Sequence, residues 1–197
     1  MVIKMRLIKL LLPTLLAFVA VPQAALADNP CSSIATREPS QETRRFDNKK
    51  ISFEMPANYR IMNTEFGLMI HSPWSYEVYN CQINSKYGSG EVESGIVVST
   101  LPFNQISKLI DNMENQAVSY GGVKKTFYPG TTAKMFAYQT SEAAFGKIIF
   151  VKNNQLVVIE IPLYVEEEGK DNWVLSTEVH QMYKPTVDLI MSTLQVR

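Results

Sequence analysis

The sequence predicts an α+β domain: a mainly antiparallel β-sheet flanked by helices on both faces, an α/β/α sandwich. Three observations lead there. Residues 145–164, FGKIIFVKNNQLVVIEIPLY, are two apolar, β-branched runs joined by Asn153-Asn154, a pair that tolerates positive φ and can close a two-residue hairpin turn. Val157, Ile159 and Ile161 share one side of the outgoing run, and Leu156 and Val158 the other, where only Glu160 is polar. On the incoming run Ile148 and Phe150 alternate with Ile149 and Val151. Strands apolar on both faces are covered on both faces. The second observation is a helical stripe over 104–120, formed by Ile106, Leu109, Ile110, Met113, Ala117 and Tyr120. The third is a helical region over 174–194 whose apolar side is Val187, Ile190, Met191 and Leu194. These two helices are the expected covers, one per face.

Taken in order, the chain opens as an export signal. Lys4, Arg6 and Lys9 precede the short apolar run Leu10–Val21, and Ala25-Leu26-Ala27 is an A-x-A cleavage site. Cleavage there leaves 170 of the 197 residues, enough for one domain with a sizeable core. Three of the 19 basic residues and none of the 19 acidic ones lie in the leader, so the remainder carries a formal charge of −3. That balance gives no cationic field for nucleic acid or an anionic membrane. No second apolar run reaches transmembrane length.

Residues 28–48 read as a polar, loosely ordered arm, and the domain is expected over 49–197. Asp28-Asn29-Pro30 before Cys31 excludes a lipidation signal. Cys31 and Cys81, an even count in an exported chain, favour a disulfide that pins the arm to the domain; the competing reading is two free thiols. ISFEM at 51–55 alternates as a strand with one solvated face, Ser52 and Glu54 outward. Short strands are expected at 59–62 and 66–71. Ser72 then Pro73 suit the N-cap and first position of a helix running through Cys81. A glycine-containing loop over 84–91 leads to a strand at 94–101. Asn104 is the expected cap of the long helix, and Gly121-Gly122 its end. Strands at 123–128 and 131–140 flank Pro129-Gly130, which suits a type II turn. Glu166 to Asp171 reads as a charged surface loop, and Pro185 either starts the last helix at its first position or, the favoured reading, kinks a longer one that begins near Ser176.

This layout resembles the PsbP-like fold, named for a lumenal extrinsic subunit of photosystem II. The carriers are the early strand and its proline and aromatic, Ile51-Ser52-Phe53-Glu54-Met55-Pro56-Ala57-Asn58-Tyr59, the late hairpin, and the terminal helix ending Met191-Ser192-Thr193-Leu194. The chain is also similar to exported cyanobacterial proteins of unknown function that begin ISF-x-x-P-x-NYR. The resemblance covers roughly 49–196 and implies a non-enzymatic accessory or assembly role, with no catalytic residues to carry over. It departs from the cyanobacterial form of the photosystem subunit, normally a lipoprotein, in lacking a lipobox.

No nucleophile elbow, phosphate loop or dinucleotide fingerprint is present in the sequence. The two histidines, His71 and His180, are too few for a zinc site unless a carboxylate such as Glu178 completes one, so no metal and no cofactor is expected. Cys81 lies ten residues after His71 and could pair with it as a thiol nucleophile, in competition with the disulfide. The run Glu166 to Asp171 lacks the alternating oxygen ligands of a calcium loop. Trp74, Tyr76, Tyr79 and Tyr87 form the candidate contact surface for a protein partner or membrane-associated complex, against a simpler role in packing. The alternatives to an interaction module are a small hydrolase or thiol enzyme, and a binder of a small ligand or metal in a pocket between sheet and helix.

Overall fold

The computed structural model describes residues 30–35, 37–84, 95–140, 143–167, 173–179 and 183–197. The leader, Tyr87 and the rest of 85–94, Glu168 to Asp171, and His180 lie outside the described residues.

The fold is α+β with mainly antiparallel strands. Its hairpin pairs β8 (Ala144–Lys152) with β9 (Gln155–Glu167), and Asn153 and Asn154 both take positive φ, 48° and 58°. Two left-handed residues in the turn match the twist of the flanking strands, so the register follows from the turn. Around it lie β3 (Arg60–Thr64), β4 (Gly67–His71), β5 (Ile96–Pro102), β6 (Lys124–Phe127) and β7 (Lys134–Gln139). They form an eight-stranded sheet in the order β3-β4-β5-β9-β8-β7-β6, with β10 (Trp173–Val179) added against the far half of β9. Pro129-Gly130 turns the chain between β6 and β7, with Gly130 at φ 77° and the Thr131 amide donating to the Tyr128 carbonyl at 3.1 Å.

A second, three-stranded sheet joins β1 (Thr43–Asp47), β2 (Ile51–Pro56) and β11 (Gln195–Val196). With the helix α3 (Lys184–Thr193) it covers one face of the large sheet. The core between the layers holds Ile51, Phe53 and Met55 of β2, Val187 and Ile190 of α3, and Ile148, Val157, Ile159 and Ile161 of the hairpin. On the opposite face α2 (Ile106–Ala117) sets Met113 and Ala117 against Phe136, Tyr138, Ile149, Leu156 and Val158. Both faces of the hairpin are thus covered, by α3 with the small sheet on one side and by α2 on the other. The helix α1 (Pro73–Asn84) packs beside β4, and the Ser72 hydroxyl accepts from the Ser75 amide at 3.1 Å, as an N-cap does.

Five sequence expectations are corrected. The arm is ordered from Thr43, because β1 pairs with β2 and Arg44 donates to the Tyr59 carbonyl at 2.6 Å. The second face of β2 is only partly solvated: Glu54 is half-buried, but Ser52 is fully buried and its hydroxyl accepts from Arg45 at 2.8 Å. Asn104 makes no cap; a 3-10 turn over Phe103–Gln105 leads into α2, and its flanking positions carry no side-chain cap bond. Glu166 and Glu167 belong to β9 rather than a loop. The region 174–194 is not one kinked helix. Residues 173–179, WVLSTEV, are a β-branched and aromatic run that pairs with β9, and Pro185 lies in the first turn of α3, where its missing N–H has no acceptor to serve.

Candidate functional site

The residues singled out in the sequence divide between two regions. Cys31 and Cys81 form a disulfide across a sequence separation of 50 residues. It ties the 3-10 turn Pro30–Ser33 to α1, and two further contacts reinforce the tie. The Trp74 indole Nε1–H donates to the Ile34 carbonyl at 3.0 Å, and Arg37 meets Glu77 at 3.2 Å. Trp74, Tyr76 and Tyr79 are each half-buried. Tyr79 and Tyr76 lie against the His71 ring at centroid distances of 5.5 and 6.2 Å. The aromatic side chains of α1 therefore hold the arm and the end of β4.

His71 is sealed. Its Nδ1 is 3.4 Å from the Ser75 hydroxyl, and both residues are buried. Its Nε2 has no hydrogen-bond partner among the described residues, so no carboxylate orients the ring as a general base requires. Cys81 is bound in the disulfide and no free cysteine remains, which removes the thiol nucleophile reading. Glu178 lies in β10, not in a helix. Among the described residues no group of three or more His, Cys, Asp or Glu side chains is placed to hold a metal.

Burial pushes the His71 pKa below its ordinary value near 6.5. The folded chain therefore binds a proton less readily than the unfolded one. The stability this contributes is full above about pH 6.5 and is lost as pH falls toward the depressed folded value. Urea midpoints at about pH 7.5 and about pH 5.5 are expected to differ less in His71→Gln than in the native protein. An unchanged difference would show that His71 is not the linked group.

Two clefts flank α2. The first, about 680 Å³, runs beside its N-terminal half. Phe103, Ile106, Ile110, Phe136, Ile149 and Val151 give it an apolar lining, with Lys134 and Lys152 at its margin. Phe103 and Val151 remain 55% and 52% exposed there.

The second cleft, about 560 Å³, opens past the C-terminal end of α2. Register builds its floor. Tyr138 of β7 pairs with Phe145 of β8, and Lys147, two residues on, pairs with Glu160 of β9. All four side chains therefore share one face. The Lys147 ammonium meets the Glu160 carboxylate at 2.9 Å, with side chains 18% and 27% exposed, and lies 5.6 Å from the Tyr138 ring centroid. Burial pushes Lys147 toward its neutral form, but the opposing effects of Glu160 and Tyr138 prevail and raise its pKa. Burial, then the Glu160 charge, also raises the Tyr138 pKa. Phe66 of the β3–β4 turn, 71% exposed, and Tyr120, 41% exposed, form the walls with Gln116.

Neither cleft is marked by a motif. The pair is still foreseeable, because a two-residue turn at Asn153-Asn154 places Lys147 directly opposite the one acid of the outgoing run. Phe66 and Tyr120 carry no such signal, since only the tertiary fold brings them to one cleft. No model of a known protein family matches the chain, and a search of curated proteins finds no match either.

Proposed function

We propose that the protein is an exported, non-catalytic accessory or assembly module of PsbP-like type that acts by contact with a protein partner or membrane-associated complex. The leader sequence and the Cys31–Cys81 bond support export. No described helix is long and apolar enough to cross a membrane. The observation that carries the contact role is the apolar groove beside α2, where Phe103 and Val151 stay more than half exposed although each adjoins a covered core. Exposed apolar residues gathered in one groove mark contact sites, whereas scattered ones do not. The groove suits an apolar segment of a partner, with Lys134 favouring a carboxylate beside it. Trp74 is a weaker anchor, since its indole donor already serves the arm.

Photo-cross-linking in cells tests this, with p-benzoylphenylalanine in place of Phe103 in one strain and of Tyr79 in another. A discrete adduct from position 103 is the expected result. An adduct from position 79 alone would move the contact to the Trp74, Tyr76 and Tyr79 surface. No adduct from either position would remove the interaction reading.

A further inference from the structure

The second cleft differs in chemistry from the apolar groove and stands independently of it. We infer that the cleft lined by Phe66, Tyr120, Tyr138, Phe145, Lys147 and Glu160 binds a neutral sugar ring, one unit of an oligosaccharide.

Three classes of ligand fit poorly. A wholly apolar ligand would strip water from the Lys147–Glu160 pair without replacing its hydrogen bonds, and desolvating charged groups unpaired is costly. A cation entering over Glu160 meets the Lys147 ammonium 2.9 Å from that carboxylate. An anion drawn to Lys147 meets Glu160 in the same way. The two charges cancel, and among the described residues no other charged one lines the cleft, so its floor has no net attraction for an ion.

A sugar ring satisfies each feature. Its C–H faces are apolar and suit the electron-rich faces of Phe66 and Tyr120, which stand open to solvent at the walls. Its rim carries adjacent hydroxyls that both donate and accept. The ion pair offers a complementary set, with carboxylate oxygens to accept and ammonium hydrogens to donate, both charge-assisted. The Gln116 amide and the Tyr120 hydroxyl add neutral partners at the rim. Lys147 and Glu160 sit on paired central strands, so the polar floor is held rigid while the walls come from a turn and a helix end. The volume, about 560 Å³, is within the range of small-ligand sites.

The test is titration of the isotope-labelled folded protein, followed by amide NMR shifts. The probes are maltohexaose, cellohexaose and chitohexaose, with phenyltrimethylammonium and benzoate as charged comparators. At least one hexaose is expected to shift the Phe66, Tyr120, Phe145 and Lys147 amides saturably by about 10 mM, where a millimolar site is nearly filled. Phe66→Ala and Tyr120→Ala alter exposed side chains that folding does not need, and each is expected to weaken binding roughly tenfold. The inference is overturned if no hexaose gives saturating shifts. It is also overturned if a charged comparator binds as well as the best hexaose, or if both variants bind it undiminished.

Discussion

Ile159→Ala is expected to lower stability by about 2–5 kcal/mol, the usual range for truncating a fully buried isoleucine. Ile159 has no solvent exposure and sits mid-strand in β9, paired with Val98 of β5 and Ile148 of β8. Its side chain faces the layer made by α3 and the small sheet, so the lost methyl groups leave a cavity walled on every side. Val151→Ala, on the same hairpin, is the contrast. Val151 is 52% exposed, and its truncation should fall within about 0.5 kcal/mol. Urea unfolding of both variants measures the difference. Equal losses in the two would contradict the assignment of the hairpin as a strand pair covered on both faces.

Cys31→Ser combined with Cys81→Ser is expected to lower stability by about 4 kcal/mol, from the loop-closure entropy of a 50-residue span. For a domain of this length the melting temperature should fall by roughly 8–16 °C. The effect concentrates at one place. The released arm retains the Trp74–Ile34 hydrogen bond and the Arg37–Glu77 pair, both partly solvated. Amide exchange in α1 should therefore accelerate more than exchange in β9. Calorimetry of the double variant beside the native protein decides it, and a melting temperature within about 2 °C of native would show the cross-link to be dispensable.

The hairpin was legible because three local signals agree on it: β-branched runs, a turn pair able to take positive φ, and a period of two. The stripe of α2 was legible for a similar reason, with five residues at helical spacing before two glycines; Tyr120, read as its sixth, falls in the 3-10 turn that follows and stays exposed. The region after Tyr164 was not. Its strand at 173–179 exists because β9 extends to Glu167 and offers it an edge, a condition that lies outside the strand's own sequence. Thr43–Asp47 misled in the same way. Four of its five residues are polar and exposed, only Phe46 is apolar and half-buried, and they form a strand because β2 lies alongside. The disulfide was readable as the favoured pairing from an even cysteine count taken together with the leader sequence, against two free thiols. The clefts beside α2 were not readable, because Phe66, Tyr120 and Lys147 come together only through the packing of a turn and a helix end on the sheet.

The small sheet joins distant parts of the chain: Gln195 and Val196 pair with Ser52 and Ile51, and Arg197 bonds to Asp47 at 2.7 Å across 150 residues. A polypeptide emerging from a ribosome or a translocation pore delivers β1 and β2 first. Their partner strand and the helix that seals them arrive more than a hundred residues later. Until then β2 keeps one edge unpaired and Ile51, Phe53 and Met55 have no finished layer to enter. Closure of this layer is thus a terminal event, controlled by arrival of the distal segment rather than by local propensity. The consequence is temporal: the layer over this face of the large sheet is the last to be completed when the chain is delivered from its N-terminus.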